Sequence, residues 1–368
     1  MYLLYILLAI VILLFMILFH EFGHYIAGKL LKFKIEEFSV GFGPAIFSKT
    51  NKKTGEKFSF RAFPLGGYCA FDGEDGDEKN PSPTAFNNQK PWKRIIVLLG
   101  GVTMNFLTAI IFSWVLLCSV GYDVKQVSAV DETYPNTFEA GDVITEVNGE
   151  KIDFAFGGNY SALVSNEIAK AEAIYNEYYK TNSAIPTENL YTFEMTVKKD
   201  SLSGDVEKLT VTVYPYIDTT VEGDTVHGKI GLLAKPYVYS FWEGLGRSFS
   251  MAFGWAWLVL KSLFMLFTFQ VPISDMAGTV GTIATMADYA SQSLSYLLIF
   301  IPLIAANLAI FNILPIPSLD GAHILFVLIE WIRGKPINRE IENKIHTIGL
   351  FILLGFVVLI DILHFALT

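Results

Sequence analysis

Charge is what this chain has least of. Asp, Glu, Lys and Arg make up only 17% of its 368 residues, while 52% are hydrophobic. Soluble domains carry about 25% charged residues, so a composition this apolar excludes a single soluble domain. Several stretches instead approach the roughly 20 residues needed to cross a bilayer. Cysteine is scarce as well: Cys69 and Cys118 are the only two, which gives no disulfide framework. No internal repeat is evident, and nothing in the charge distribution suggests nucleic-acid binding. The opening run, residues 1–19 (MYLLYILLAIVILLFMILF), lacks a basic n-region and an A-x-A cleavage site. It is also too long for a signal-peptide core and is expected to stay as a membrane helix.

Histidine is rare too, with six in the chain, yet two of them fall four residues apart in His20-Glu21-Phe22-Gly23-His24. On a helix this spacing puts both imidazoles on one face, one turn apart. Two such nitrogens can grip one Zn²⁺, and the glutamate between them can serve as general base toward water. The motif ends a hydrophobic helix, where ionisable groups are costly and default to function.

Further apolar runs follow. A second span is expected from about Ile95 to Val120, after the basic cluster Lys90, Lys93 and Arg94. A third covers about Leu294 to Asn312, is interrupted by Pro315 and Pro317, and resumes from Gly321 to Trp331. A fourth covers Ile348 to about Leu367, with Asp361 and His364 near its outer end. Phe249–Phe269 is ambiguous because Lys261 lies in its middle. Lysines and Arg61 crowd the loop after the first span, and Arg333, Lys335, Arg339 and Lys344 crowd the last loop. Both loops therefore read as cytoplasmic. Two cytoplasmic loops need an even number of crossings between them, so Phe249–Phe269 is expected to be an interfacial or re-entrant helix, leaving four spans.

The polar block between 121 and 240 carries 19 Asp/Glu and 9 Lys/Arg, a net of 9 − 19 = −10 against −9 for the whole chain. It reads as a solvated domain on the translocated side. Tyr191 to Lys198 alternates like a half-buried strand, Leu209, Val211 and Val213 repeat the pattern, and 141–149 reads as a strand closed by Asn148-Gly149. Residues 160–180 are a helical insert. Phe58–Phe71 (FSFRAFPLGGYCAF), broken by Pro64, Gly66 and Gly67, suits a β-hairpin dipping into the membrane. Residues 72–90 read as a polar linker.

A catalytic zinc wants a third protein ligand. Asp320, in Asn312-Ile313-Leu314-Pro315-Ile316-Pro317-Ser318-Leu319-Asp320-Gly321, is either that ligand or the N-cap of the helix beginning at Gly321. The missing ligand favours the metal reading. His323 is the competing candidate. Pro315 and Pro317 break the helix and leave carbonyls and the Asn312 amide free to meet an extended peptide.

These motifs resemble the site-2 protease family of intramembrane zinc metalloproteases, and within it the bacterial regulator-of-sigma-E protease branch. The resemblance rests on HEFGH at 20–24, Gly41-Phe42-Gly43-Pro44, the stretch ending near Phe71, and Gly100-Gly101-Val102-Thr103-Met104-Asn105-Phe106. It rests also on the 312–321 run and a PDZ-like segment around Gly141–Ile152. It implies zinc held by His20, His24 and Asp320, activation of water by Glu21, and substrate positioning by Asn312 and the adjacent prolines. It also implies a single-span membrane protein substrate, of the anti-sigma factor or remnant signal peptide type. The location it implies is the bacterial cytoplasmic membrane.

The fold expected is thus an α-helical polytopic membrane protein with four spans, a membrane-dipping β-hairpin and an inserted extracytoplasmic PDZ-like α+β domain. Its divisions are 1–120, 121–240, 241–290 and 291–368. One rival is a membrane-anchored PDZ adaptor without chemistry. The other is a metal transporter, which would need a series of ionisable groups across the spans that this sequence lacks. Oligomeric state, substrate and scissile bond are not encoded in any of these patterns.

Overall fold

The computed structural model describes residues 1–74, 82–152, 159–217, 225–268, 270 and 278–367. The chain forms two compact units, one of residues 1–113 with 248–368 and one of Trp114–Arg247.

The first unit begins with α1 (Tyr2–Leu30), which runs unbroken through the HEFGH motif. It stops at Lys32, where φ turns to 63°, and the chain enters β1 (Ile35–Thr50). Here the structure departs from the expected hairpin. Residues 58–71 do not fold back on themselves; they belong to one long bent strand, β2 (Lys57–Phe71), whose partner is β1. Phe38 of β1 faces Cys69 on one side and Phe58 on the other, and Phe58 in turn faces Lys49. The two bent strands therefore make a sheet four rows wide, with Gly67–Phe71 as one outer row. The reason is local: Gly41 and Gly43, at φ 85° and 84°, bend β1 where a side chain would be strained. The same glycines break the alternation that would have revealed β1 in the sequence. Of the linker expected over 72–90, residues 75–81 lie outside the described residues, whereas Asp72, Ala85 and Phe86 are buried.

Then come α2 (Pro91–Ser119), α4 (Phe241–Phe267), α5 (Thr279–Gln292), α6 (Leu297–Ile313), α7 (Asp320–Arg333) and α8 (Arg339–Leu367). Among the described residues five helices are long and apolar enough to cross a membrane: α1, α2, α4, α6 with the short turn before it, and α8. The stretch expected at Phe249–Phe269 is thus the larger part of one helix that begins eight residues earlier. The break between α6 and α7 falls at Leu314–Leu319, where two prolines remove backbone donors.

The second unit carries an antiparallel sheet of order β7-β3-β4-β5-β6, from β3 (Lys125–Val130), β4 (Val143–Val147), β5 (Thr192–Lys198), β6 (Val206–Thr212) and β7 (Leu232–Pro236). Asn148 and Gly149, at φ 49° and 75°, close the tight turn after β4, as their pairing in sequence requires. The helical insert is α3 (Tyr160–Asn182). It packs Val164, Ala171 and Tyr175 onto Ile144, Met195, Val197 and Val211 of the sheet. Asp123, fully buried, is satisfied by Tyr239 and by two bonds from Arg247.

What positions the site is the crossing of α1 on α2, made possible by glycine. A Cβ on Gly23 would lie 2.2 Å from the Gly100 carbonyl oxygen, and one on Gly100 would lie 2.6 Å from the Gly23 oxygen. Small residues let helices meet this closely where the surroundings offer no hydrophobic drive. Replacing Gly100 by Ala should therefore overpack the crossing and cost about 1–3 kcal/mol. Equilibrium unfolding in detergent checks this, and an unchanged transition would mean the helices separate without penalty.

Candidate metal centre

Helical pitch brings His20 and His24 together, with ring centroids 4.7 Å apart and planes at 89°. Their Nε2 atoms are 3.1 Å apart. Asp320, from the start of α7, meets both: its Oδ2 lies 3.1 Å from His20 Nε2 and 3.4 Å from His24 Nε2. All three side chains are at least partly buried. The structure thus brings together the three residues singled out in sequence as possible ligands.

The proton positions decide what this trio can do. His24 Nδ1 is 2.9 Å from the Val97 carbonyl oxygen. A carbonyl only accepts, so Nδ1 holds the ring proton and Nε2 presents its lone pair to the trio. His20 Nδ1 lies 3.1 Å from the Asn105 side-chain amide, whose Oδ1 is buried without a partner. Turning that amide over lets Oδ1 accept the His20 Nδ1 proton and satisfies both groups. Nε2 of His20 is then a lone pair as well. Asp320 Oδ2 is itself buried with no hydrogen-bond donor. With both imidazoles neutral, three acceptors converge, and a bound cation resolves this. Ligand atoms about 2.0–2.1 Å from a tetrahedral Zn²⁺ stand about 3.3 Å apart, close to the separations found here. The residues fit zinc.

Asp320 is not the helix cap that the sequence also allowed. The N-cap of α7 is Leu319, and no side chain caps it. Nor does His323 join the trio. It stacks on His346 at 3.8 Å and lies 3.9 Å from Glu342.

Glu21 and Asn312 line a cavity of about 270 Å³ together with His20 and Asp320, walled by Ile17, Leu308 and Leu319. Asn312 Nδ2 is 3.4 Å from His20 Nε2. The outer row of the sheet closes on the same glutamate: a Cβ on Gly67 would lie 3.7 Å from Glu21 Cγ. The two prolines are elsewhere. Pro315 is exposed, Pro317 packs against Gly349, and neither lines the cavity. Sequence reasoning assigned no role to Val97 or Asn105 of α2, nor to Gly101, where a Cβ would sit 2.5 Å from His24 Nε2. Asn105 could have been flagged, since a buried amide within an apolar run must find a partner.

Comparison with known proteins agrees with this geometry. Residues 8–356 match the family described as Peptidase family M50. Two relatives carry provisional zinc metalloprotease names. One, from Fusobacterium nucleatum, is 29% identical over 97% of each chain. Another, from Nostoc, is 30% identical over 94% of this chain and 92% of its own. A membrane metalloprotease of Arabidopsis thaliana chloroplasts is 30% identical, over 94% of this chain and 75% of its own. Zinc is accordingly the expected cofactor. The family match takes in both motifs and nearly all of the chain around them, so the chain belongs to peptidase family M50, the site-2 proteases.

Proposed function

We propose that this protein is an intramembrane zinc endopeptidase that hydrolyses peptide bonds within the membrane segment of single-span substrates. The observation that carries this reading is the convergence of three acceptor atoms, one of them the donorless Asp320 Oδ2, beside a cavity lined by Glu21. His20, His24 and Asp320 would hold the metal. When bound, zinc supplies Lewis acidity, polarising a carbonyl and making water easier to deprotonate. Glu21 takes the proton from the attacking water and returns it to the leaving amide nitrogen. Asn312, on the cavity wall, donates its side-chain amide to the substrate backbone. The role of Pro315 and Pro317 is to shape the loop that carries Asp320.

A peptide bond inside a helix is shielded, so the substrate must be extended to react. The outer row Gly67–Phe71 supports a way to hold it. Among the described residues a strand lies on one side of it alone, Ile35–Val40, and it runs along α1 from Leu18 and Glu21 at Gly67 to Gly28 at Phe71. An added strand there gains main-chain hydrogen bonds beside the general base.

The membrane reading has four spans, with α4 lying at or dipping into the outer interface. Contacts at three places support it. Trp114, near the end of α2, donates to the Phe241 carbonyl at the start of α4. Asp361, 15 residues along α8 from His346, accepts the Val280 and Gly281 amides, so the chain is far from the metal trio again at α5. Tyr2, at the start of α1, reaches Asp288 on the same helix. We read Trp114–Arg247 as a PDZ-like domain on the extracytoplasmic side of a bacterial cytoplasmic membrane, with anti-sigma factors or remnant signal peptides as the substrate type.

Glu21→Gln should keep zinc while lowering cleavage of membrane-anchored peptides by at least about 10²-fold, the usual worth of a positioned general base. Asp320→Ala should lose both zinc and cleavage. Metal analysis beside a cleavage assay on purified protein decides this; full turnover in the Gln variant would remove the mechanism. Single cysteines should label from the cytoplasm at 53 and from the outer side at 205, 243 and 290. Opposite labelling of 243 and 290 would make α4 a fifth span.

A further inference from the structure

The loop between α6 and α7 has to hold Asp320 still with few bonds of its own. Its two prolines cannot donate. Ser318 sits at φ 78°, a left-handed conformation that a residue with a Cβ adopts only when its surroundings compel it. What compels it lies on α8. The Ser318 backbone N–H donates to His346 Nδ1 at 2.9 Å. Three residues on, Gly349 lies so close to the loop that a Cβ there would come 2.2 Å from Pro317 Cβ. Thus α8 grips Pro317 and Ser318, the two residues immediately before Leu319 and Asp320. The gripping ring is fixed in its turn, stacked on His323 at 3.8 Å and 9°, and His323 is in the first turn of the helix that Asp320 begins.

The same neighbourhood offers a different interpretation. His323, Glu342 and His346 carry ligand-type atoms all within 4.8 Å of one another, as a second metal site would. The proton count opposes it. Nδ1 of His346 spends its lone pair on the Ser318 N–H, which places the ring proton on Nε2, and Nε2 is buried with no partner. Neither nitrogen is left to ligate. Parallel stacked rings also fail to aim their in-plane lone pairs at one point, and Glu342 is already ion-paired with Arg339.

We propose that His346 is a positioning residue for Asp320: by accepting the Ser318 N–H it fixes the loop that aims the carboxylate at His20 and His24. This rests on the reading of Asp320 as a metal ligand. Partners that orient a ligand without touching the metal are worth about 10–100-fold in affinity.

The test is zinc affinity of the full-length chain in detergent, by competition with a chelator, alongside cleavage kinetics. His346→Phe keeps a ring to stack on His323 and loses the acceptor. It should bind zinc at least about tenfold more weakly and lower kcat with little change in KM. His346→Asn puts an amide oxygen where Nδ1 stood, and should stay within about threefold of the unmodified chain because the acceptor is kept. Zinc binding by the Phe variant equal to the unmodified chain overturns the proposal, as does an Asn variant as weak as the Phe variant. Two zincs per unmodified chain, one of them lost in the Phe variant, overturns it in favour of a second metal site. No substitution is needed for the remaining check: ¹⁵N-histidine spectra should show His346 as the Nε2–H tautomer, and the Nδ1–H tautomer overturns it. An unmodified chain that binds no zinc would instead defeat the reading of the main site, which the same titration shows before any variant is made.

Discussion

Three lone pairs aimed at one point, with no proton to separate them, are a costly thing to build inside an apolar bundle. Two imidazole nitrogens and a carboxylate oxygen stand 3.1–3.4 Å apart here. A buried carboxylate without donor or counter-charge is among the most expensive groups a protein can carry. Much of the surrounding structure serves to make that arrangement unavoidable. Val97 removes one alternative for His24 by accepting its Nδ1–H. The tight glycine crossing sets α2 near enough for that carbonyl and for Asn105 to reach the imidazoles. On the opposite side the loop from α6 delivers Asp320, and α8 holds that loop in a backbone conformation it would not adopt alone.

The start of α2, the end of α7 and the start of α8 are tied by a second set of charges, kept apart from the metal trio. Arg94 of α2 pairs with Glu330 of α7, which also binds Arg339, and Arg339 pairs with Glu342 of α8. Truncating one member would strand a buried charge, which is strongly destabilising. This lattice locates α7 and α8 relative to α2. The two halves of the site come from residues almost 300 apart in the chain, so relations between helices matter more to it than any single helix.

The sheet solves a different problem. A membrane interior tolerates backbone only when its polar groups are paired. Among the described residues β1 and β2 pair with each other, and the row nearest α1 has no strand on its side next to Glu21. An edge of this kind is a hazard in a soluble protein. Here it lies beside the Glu21 side chain.

Much of the site was legible from the sequence because its chemistry is local. His20, Glu21 and His24 need only one helical turn to come together, and helix formation over a continuous apolar run is not in doubt. The Asn148-Gly149 turn and the α3 insert were readable for the same reason. The sheet was not: β1 hides its period behind Gly41 and Gly43, and its partner lies across a turn, so 58–71 looked self-paired. Non-local facts were out of reach. Asp320 could equally have been a helix cap until tertiary packing placed it on the imidazoles and left the cap position to Leu319. The proton on His24, the partner of Asn105 and the grip of His346 on Ser318 exist only through contacts between helices distant in the chain. The sequence by itself determined which residues have the chemistry, since residue type and helical spacing are local properties. Only the tertiary structure decided which lone pairs face one another, because that depends on which carbonyls, amides and loops the fold sets around them.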